Sequence, residues 1–167
     1  MDFGQIFSQL GFTQKATLDA TLLIVVVFIS LILGMLIGRY KLIAILINTY
    51  VAIAILSVVS IKLLSDYLYR LGLFFGIIII LTALSKRLFE IPISGAGRSY
   101  FWRVFVMSFL ETALVLSTIL SIIPKKVALN YVSLNSYTYL TSQYASLFWI
   151  VIPLFFTFFI INKKFAR

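Results

Sequence analysis

The chain is 167 residues long, 62% hydrophobic and 11% charged, with no Cys, no His and a net charge of +9. That composition lies outside the range of soluble domains and inside that of polytopic membrane proteins. It excludes disulfides and the common thiolate or imidazole sites for zinc, copper or iron, and it predicts neither a cofactor nor a resident metal. The Lys and Arg residues sit in short segments between apolar runs, where lipid headgroups and topology explain them better than nucleic acid does.

Residues 1–19 read as an interfacial amino-terminal segment. Phe3, Ile6, Phe7 and Leu10 recur at helical spacing, the pattern of a short amphipathic helix lying in the headgroup layer, although Gly4 and Gly11 weaken it. Residues 20–167 read as one transmembrane helical domain, with spans at about 20–38, 42–61, 67–85, 104–123 and 145–161. The first two carry no charge, and at about 1.5 Å per residue each crosses a hydrocarbon core of about 30 Å. The first run is too long for a signal-peptide core and is followed by Arg39 and Lys41 rather than a small-residue cleavage site, so it is expected to be retained.

Arg39, Tyr40 and Lys41 join the first two spans, which predicts a tight antiparallel hairpin with a basic tip. Gly34 and Gly38 stand four apart before that tip, and Gly72 and Gly76 repeat the spacing in the third span. Each GxxxG bares backbone on one helix face. It can serve self-association or sliding, with ordinary packing inside the bundle as the preferred reading. In the second span Ala44, Asn48 and Ala52 form another small face, from which the Asn48 amide is expected to bond to a neighbouring helix or to its own preceding turn.

The segment 86–103 is charged and carries Pro92 and the breaker run Ser94-Gly95-Ala96-Gly97, so it reads as a loop at the membrane surface. The fourth span contains one acid, Glu111. A charged acid at that depth costs about 2.5 to 3.5 kcal/mol to insert. It is therefore expected to face the bundle, to find a partner such as Asn48, a hydroxyl or Arg103, or to carry a proton. Ser108 and Thr118 lie three before and seven after it on the same face, extending a thin polar stripe. A coupled carboxyl and a merely buried acid stand side by side as readings of this stripe.

Residues 124–144 are polar and rich in Tyr, Ser, Thr and Asn, which suits an interface or a wet vestibule. The fifth span carries Pro153, which removes a donor one turn downstream of Trp149 and predicts a bend there. On alternate sides of five crossings, nine of the 14 Lys and Arg fall with 39–41, 86–103 and the carboxyl-terminal tail, and five with 15, 62–70 and 125–126. The richer face is expected to be cytoplasmic, with the amino terminus outside and the carboxyl terminus inside. With no His, no Cys and five scattered acids, nothing has the paired spacing of general acid and base work. No catalytic residue is predicted.

The stretch Gly34-Met-Leu-Ile-Gly38-Arg-Tyr-Lys-Leu-Ile-Ala-Ile-Leu-Ile-Asn-Thr-Tyr-Val-Ala52 resembles the opening hairpin of the colicin V production protein family. These are small bacterial inner-membrane proteins with about four transmembrane helices. The resemblance covers roughly Leu22 to Ile123 and includes the basic, glycine-containing loop before the fourth span. The chain departs from the family in having no glycine along Val104–Ile123 and in adding a fifth span. What the resemblance implies is an inner-membrane protein connected with export of a peptide toxin or with envelope homeostasis, with no residue roles to carry over.

The expected architecture is thus an all-α polytopic transmembrane bundle of about five helices, or four plus a less regular fifth segment. The leading expected function is a non-enzymatic scaffold or accessory factor for export or envelope maintenance, acting through helix contacts at Gly34, Gly38, Gly72 and Gly76. A small transporter or channel lined by Glu111, Ser108 and Thr118, and a membrane subunit of a larger complex, are the alternatives. Expected partners are the bilayer and either a second copy or other membrane proteins.

Overall fold

A computed structural model describes residues 14–59, 66–84 and 98–162, with side chains described for 18–36, 41–59, 66–84 and 101–160. The expected amphipathic helix before residue 14, the 94–97 breaker run and the tail after 162 lie outside the described residues. Six helices occur and no strand among the described residues: α1 (Gln14–Val58), α2 (Tyr67–Leu84), α3 (Arg98–Ile122), α4 (Lys125–Ala128), α5 (Leu134–Thr141) and α6 (Gln143–Asn162). Five segments are long and apolar enough to cross a bilayer: Leu18–Leu36, Lys41–Val58, Tyr67–Leu84, Phe101–Ile122 and Gln143–Ile160. The protein is an all-α, multi-pass membrane bundle.

The two most apolar spans share α1, whose 45 residues are helical throughout. A straight helix of that length would reach about 68 Å, more than twice the hydrocarbon thickness. Packing shows that its axis folds back. Going along α1, Leu22 packs against the cluster of Leu120, Ala128, Val132 and Leu140, Gly34 faces Ser108 and Val104, Leu42 and Leu46 share a cluster with Val104 and Met107, and Ala52 and Leu56 belong to one packed with Val115, Ile119 and Ile122. The first half therefore runs down α3 and the second half runs back up it, with the reversal around residues 37–40. The expected antiparallel pairing is present. The expected non-helical turn is not, because the two helical arms meet without an intervening loop.

The third and fifth segments are regular. α2 is helical over 18 residues, and α6 runs unbroken over 20 residues through Pro153, so the fifth segment is not the less regular one. Pro153 is itself fully buried. The polar stretch after the fourth span is also more ordered than its composition suggests, folding into α4 and α5. Ser133 caps α5 by accepting a hydrogen bond from the Ser136 amide at 3.1 Å, which ties an otherwise orphaned helix-end donor.

α3 is the axis of the bundle, touching both arms of α1, and α2, α5 and α6. Its Met107 and Leu114 are fully buried beside Leu42, Ile43 and Leu46. The outer helices turn large apolar side chains outward: Phe28 is 63% exposed, Met35 81% and Phe155 71%. In water such a surface would drive aggregation; against lipid tails it costs nothing.

The reversal of α1 gives a direct test. Cysteine pairs at Leu22 with Leu120, and at Leu56 with Ile122, introduced together into this Cys-free chain, should both be joined by a short thiol-reactive cross-linker. A straight α1 allows at most one of the two links, which peptide mapping would reveal.

Candidate functional site

The buried polar side chains concentrate on α3 and on the α1 faces that meet it. Eight are buried among the described residues: Ser30, Asn48, Thr49, Ser108, Glu111, Thr112, Ser117 and Ser133. Three are satisfied within their own helix: Ser30 donates to the Val27 carbonyl, Thr49 to Ile45 and Thr112 to Ser108. Such back-bonds admit a hydroxyl to an apolar span at little cost. Ser117 instead bridges to the Leu140 carbonyl of α5 at 2.6 Å.

Glu111 lies where the stripe predicts, inward and only 4% exposed. Ser108, three residues before it on the same face, is fully buried. Glu111 Oε1 and Ser108 Oγ are buried with no hydrogen-bond partner among the described residues. The partners expected for the acid are placed otherwise. Asn48 Nδ2 donates to Thr82 Oγ1 of α2 at 3.1 Å, bonding to a neighbouring helix, and Arg103 is eight residues away along α3, about 12 Å of axis. Thr118 is only half-buried and donates to the Leu114 carbonyl, so the stripe fades at its far end and continues inward as Thr112 and Ser117. Tyr50, from the second span, comes within electrostatic reach of Glu111, while its hydroxyl donates to the Ile150 carbonyl at 2.6 Å.

The two glycine pairs have different surroundings. A Cβ at Gly34 would lie 3.3 Å from Ser108 Oγ and 3.5 Å from Val104, so its bare backbone is what lets the first span lie close against α3. Around Gly72 and Gly76 no atom of another element comes within 4 Å of such a Cβ among the described residues. That face is open, contrary to the preferred reading of packing inside the bundle. Gly38 lies in the α1 reversal, where side-chain surroundings fall outside the described residues.

Sequence reasoning missed a cluster at the opposite end of the bundle. Asp19, at the start of the first span, accepts hydrogen bonds from the hydroxyls of Ser133 and Ser136. More than a hundred residues separate these partners, and no local pattern links them. Trp149 Nε1 donates to the Tyr139 carbonyl at 3.2 Å, fastening α5 to α6. Two apolar grooves run between the first span, α3 and this cap. One is lined by Leu22, Val26, Ala113 and Trp149, the other by Val25, Ile29, Thr112 and Tyr131, and Glu111, Ser108 and Thr118 line neither. No group of three His, Cys, Asp or Glu side chains that would hold a metal ion occurs among the described residues.

No protein-family model matches the chain, and neither a curated protein nor a solved structure shows significant similarity to it.

Two substitutions follow from these contacts. Gly34→Leu should lower the thermal midpoint in detergent by an overpacking cost of about 1–3 kcal/mol, while Gly72→Leu and Gly76→Leu should leave it within about 0.5 kcal/mol of wild type. Ser133→Ala removes both the α5 cap and a bond to a carboxylate. It should cost about 1–3 kcal/mol in the same measurement.

Proposed function

We propose that this protein is a non-enzymatic membrane scaffold or accessory factor that docks through the glycine face of α2. The observation that carries this reading is the open backbone at Gly72 and Gly76, one helical turn apart, where among the described residues no neighbouring helix comes within 4 Å of the place a Cβ would occupy. Leu68, Phe75, Ile79 and Ile80 are exposed along the same helix. In lipid, apolar area alone does not draw helices together, and close backbone approach at small residues does. Of the other pair, Gly34 is covered by α3.

The resemblance of residues 22–123 to the colicin V production family suggests a setting in a bacterial inner membrane and a part in peptide-toxin export or envelope maintenance. The excess of Lys and Arg around 39–41, 86–103 and the tail favours a cytoplasmic location for that face, with the amino terminus outside. A transport role has less support, because Glu111, Ser108 and Thr118 are enclosed rather than lining either groove.

Association in membranes tests the proposal. A cysteine at Ile80, on the exposed side of α2, should give intermolecular disulfides between copies or a cross-link to a partner protein. Gly72→Leu or Gly76→Leu should reduce the cross-linked fraction severalfold without loss of folded protein. An unchanged fraction in both variants rejects the α2 face as the docking surface. A link to a second copy identifies a self-associating scaffold; one to a protein that also copurifies in mild detergent identifies a subunit of a larger complex.

A further inference from the structure

Six of the eight buried polar side chains donate a hydrogen bond: Ser30, Asn48, Thr49, Thr112, Ser117 and Ser133. The two left over, Ser108 and Glu111, are neighbours on one turn of the central helix, and each presents an unpartnered oxygen at the bundle interior. Ser108 Oγ is roofed by the bare backbone at Gly34, 3.3 Å from the place a Cβ would occupy. We propose that Ser108 and Glu111 form an intramembrane site that holds one exchangeable proton.

The chemistry of the two oxygens selects this occupant. An ionised carboxyl with an unpartnered oxygen is costly in a span, and one added proton removes that charge while giving Glu111 a donor that a hydroxyl oxygen such as that of Ser108 can accept. A metal cation demands a shell of several oxygens. Two unpartnered oxygens suffice for a proton and are too few for a dehydrated sodium ion.

The surroundings supply no competing charge from the packed helices. Thr21–Leu36 of the first span, Gly72–Leu84 of α2 and Ala145–Ile160 of α6 contain no titratable residue. The second span brings Tyr50 within electrostatic reach, and its hydroxyl is occupied by the Ile150 carbonyl. On α3 itself the nearest basic residue, Arg103, is two turns distant, and the tyrosines of α5 lie at the capped end beside Ser133. An ionised Glu111 would therefore stand in the bundle with an unpaired oxygen, the arrangement that membrane interiors penalise most. This site is independent of the α2 docking face, and its test reads neither association nor phenotype.

The wild-type protein in phosphatidylcholine vesicles carries the experiment. Dicyclohexylcarbodiimide, an apolar reagent that adds to protonated carboxyls, should modify Glu111 at neutral pH. The adduct yield at Glu111, mapped by mass spectrometry, should fall at least tenfold at strongly alkaline pH and should not change with added sodium at fixed pH. Infrared spectra should show a neutral carboxyl band that moves in heavy water, is missing from Glu111→Gln and shifts in Ser108→Ala. Absence of the adduct at every pH, protection by sodium, or a wild-type spectrum without an exchangeable carboxyl band would overturn the proposal. The wild-type measurements decide it even if Glu111→Gln does not fold.

Discussion

Hydrocarbon offers no hydrogen-bond partner, so every polar group carried into a span must find one in the protein. The helices meet this demand mostly within themselves. Thr49, Thr112, Thr118 and Thr157 each donate to the carbonyl four residues back, and Ser30, Ser57 and Ser121 to the carbonyl three back. With the hydroxyls so occupied, the bonds that do cross between helices mark the joints. Asn48 to Thr82 ties the second span to the third, Tyr50 to Ile150 ties the second to the fifth, and Ser117 to Leu140 ties the fourth to its cap.

Between those joints the bundle is held by close packing, because lipid tails are as apolar as leucine and give no hydrophobic reward for helix contact. Small residues appear where this requires them. Gly34, Ala52 and Ala113 lie on or against the central helix, and the two alanines are buried. Van der Waals contact at such positions is individually weak and collectively large. The price of that arrangement is that α3 has to accept neighbours on nearly all sides, and its inward face is consequently where the buried polar groups of the molecule gather.

The spans were legible because hydropathy over about 20 residues is a strong signal, and the antiparallel pairing in α1 was legible because three residues between two spans leave no other geometry. Glu111 and Ser108 were legible as inward-facing from cost and spacing alone. Other features were hidden for identifiable reasons. The Ser, Thr, Asn and Tyr content of 134–141 reads as loop, yet a Ser133 cap and the burial of Leu140 make it a helix. The two GxxxG pairs are identical in spacing, and only the neighbours reveal that Gly34 is covered and Gly72 bare. Asp19 with Ser133 and Ser136 depends on bringing the two ends of the chain's described length together, which no window of sequence contains.

Pro153 shows how one sequence feature acquires its meaning from a distant residue. Its missing amide leaves the Trp149 carbonyl without the usual donor, and the ring crowds the same turn. The Tyr50 hydroxyl meets the Ile150 carbonyl, and one turn beyond the proline Thr157 donates to the Pro153 carbonyl and reaches Met107 Sδ of α3 at 3.6 Å. The fifth span is thereby joined to the second through Tyr50 and to the fourth through Thr157. The turns of α6 on either side of Pro153, where the helix lacks an amide, are thus the ones that fasten it to the second span and to the central helix.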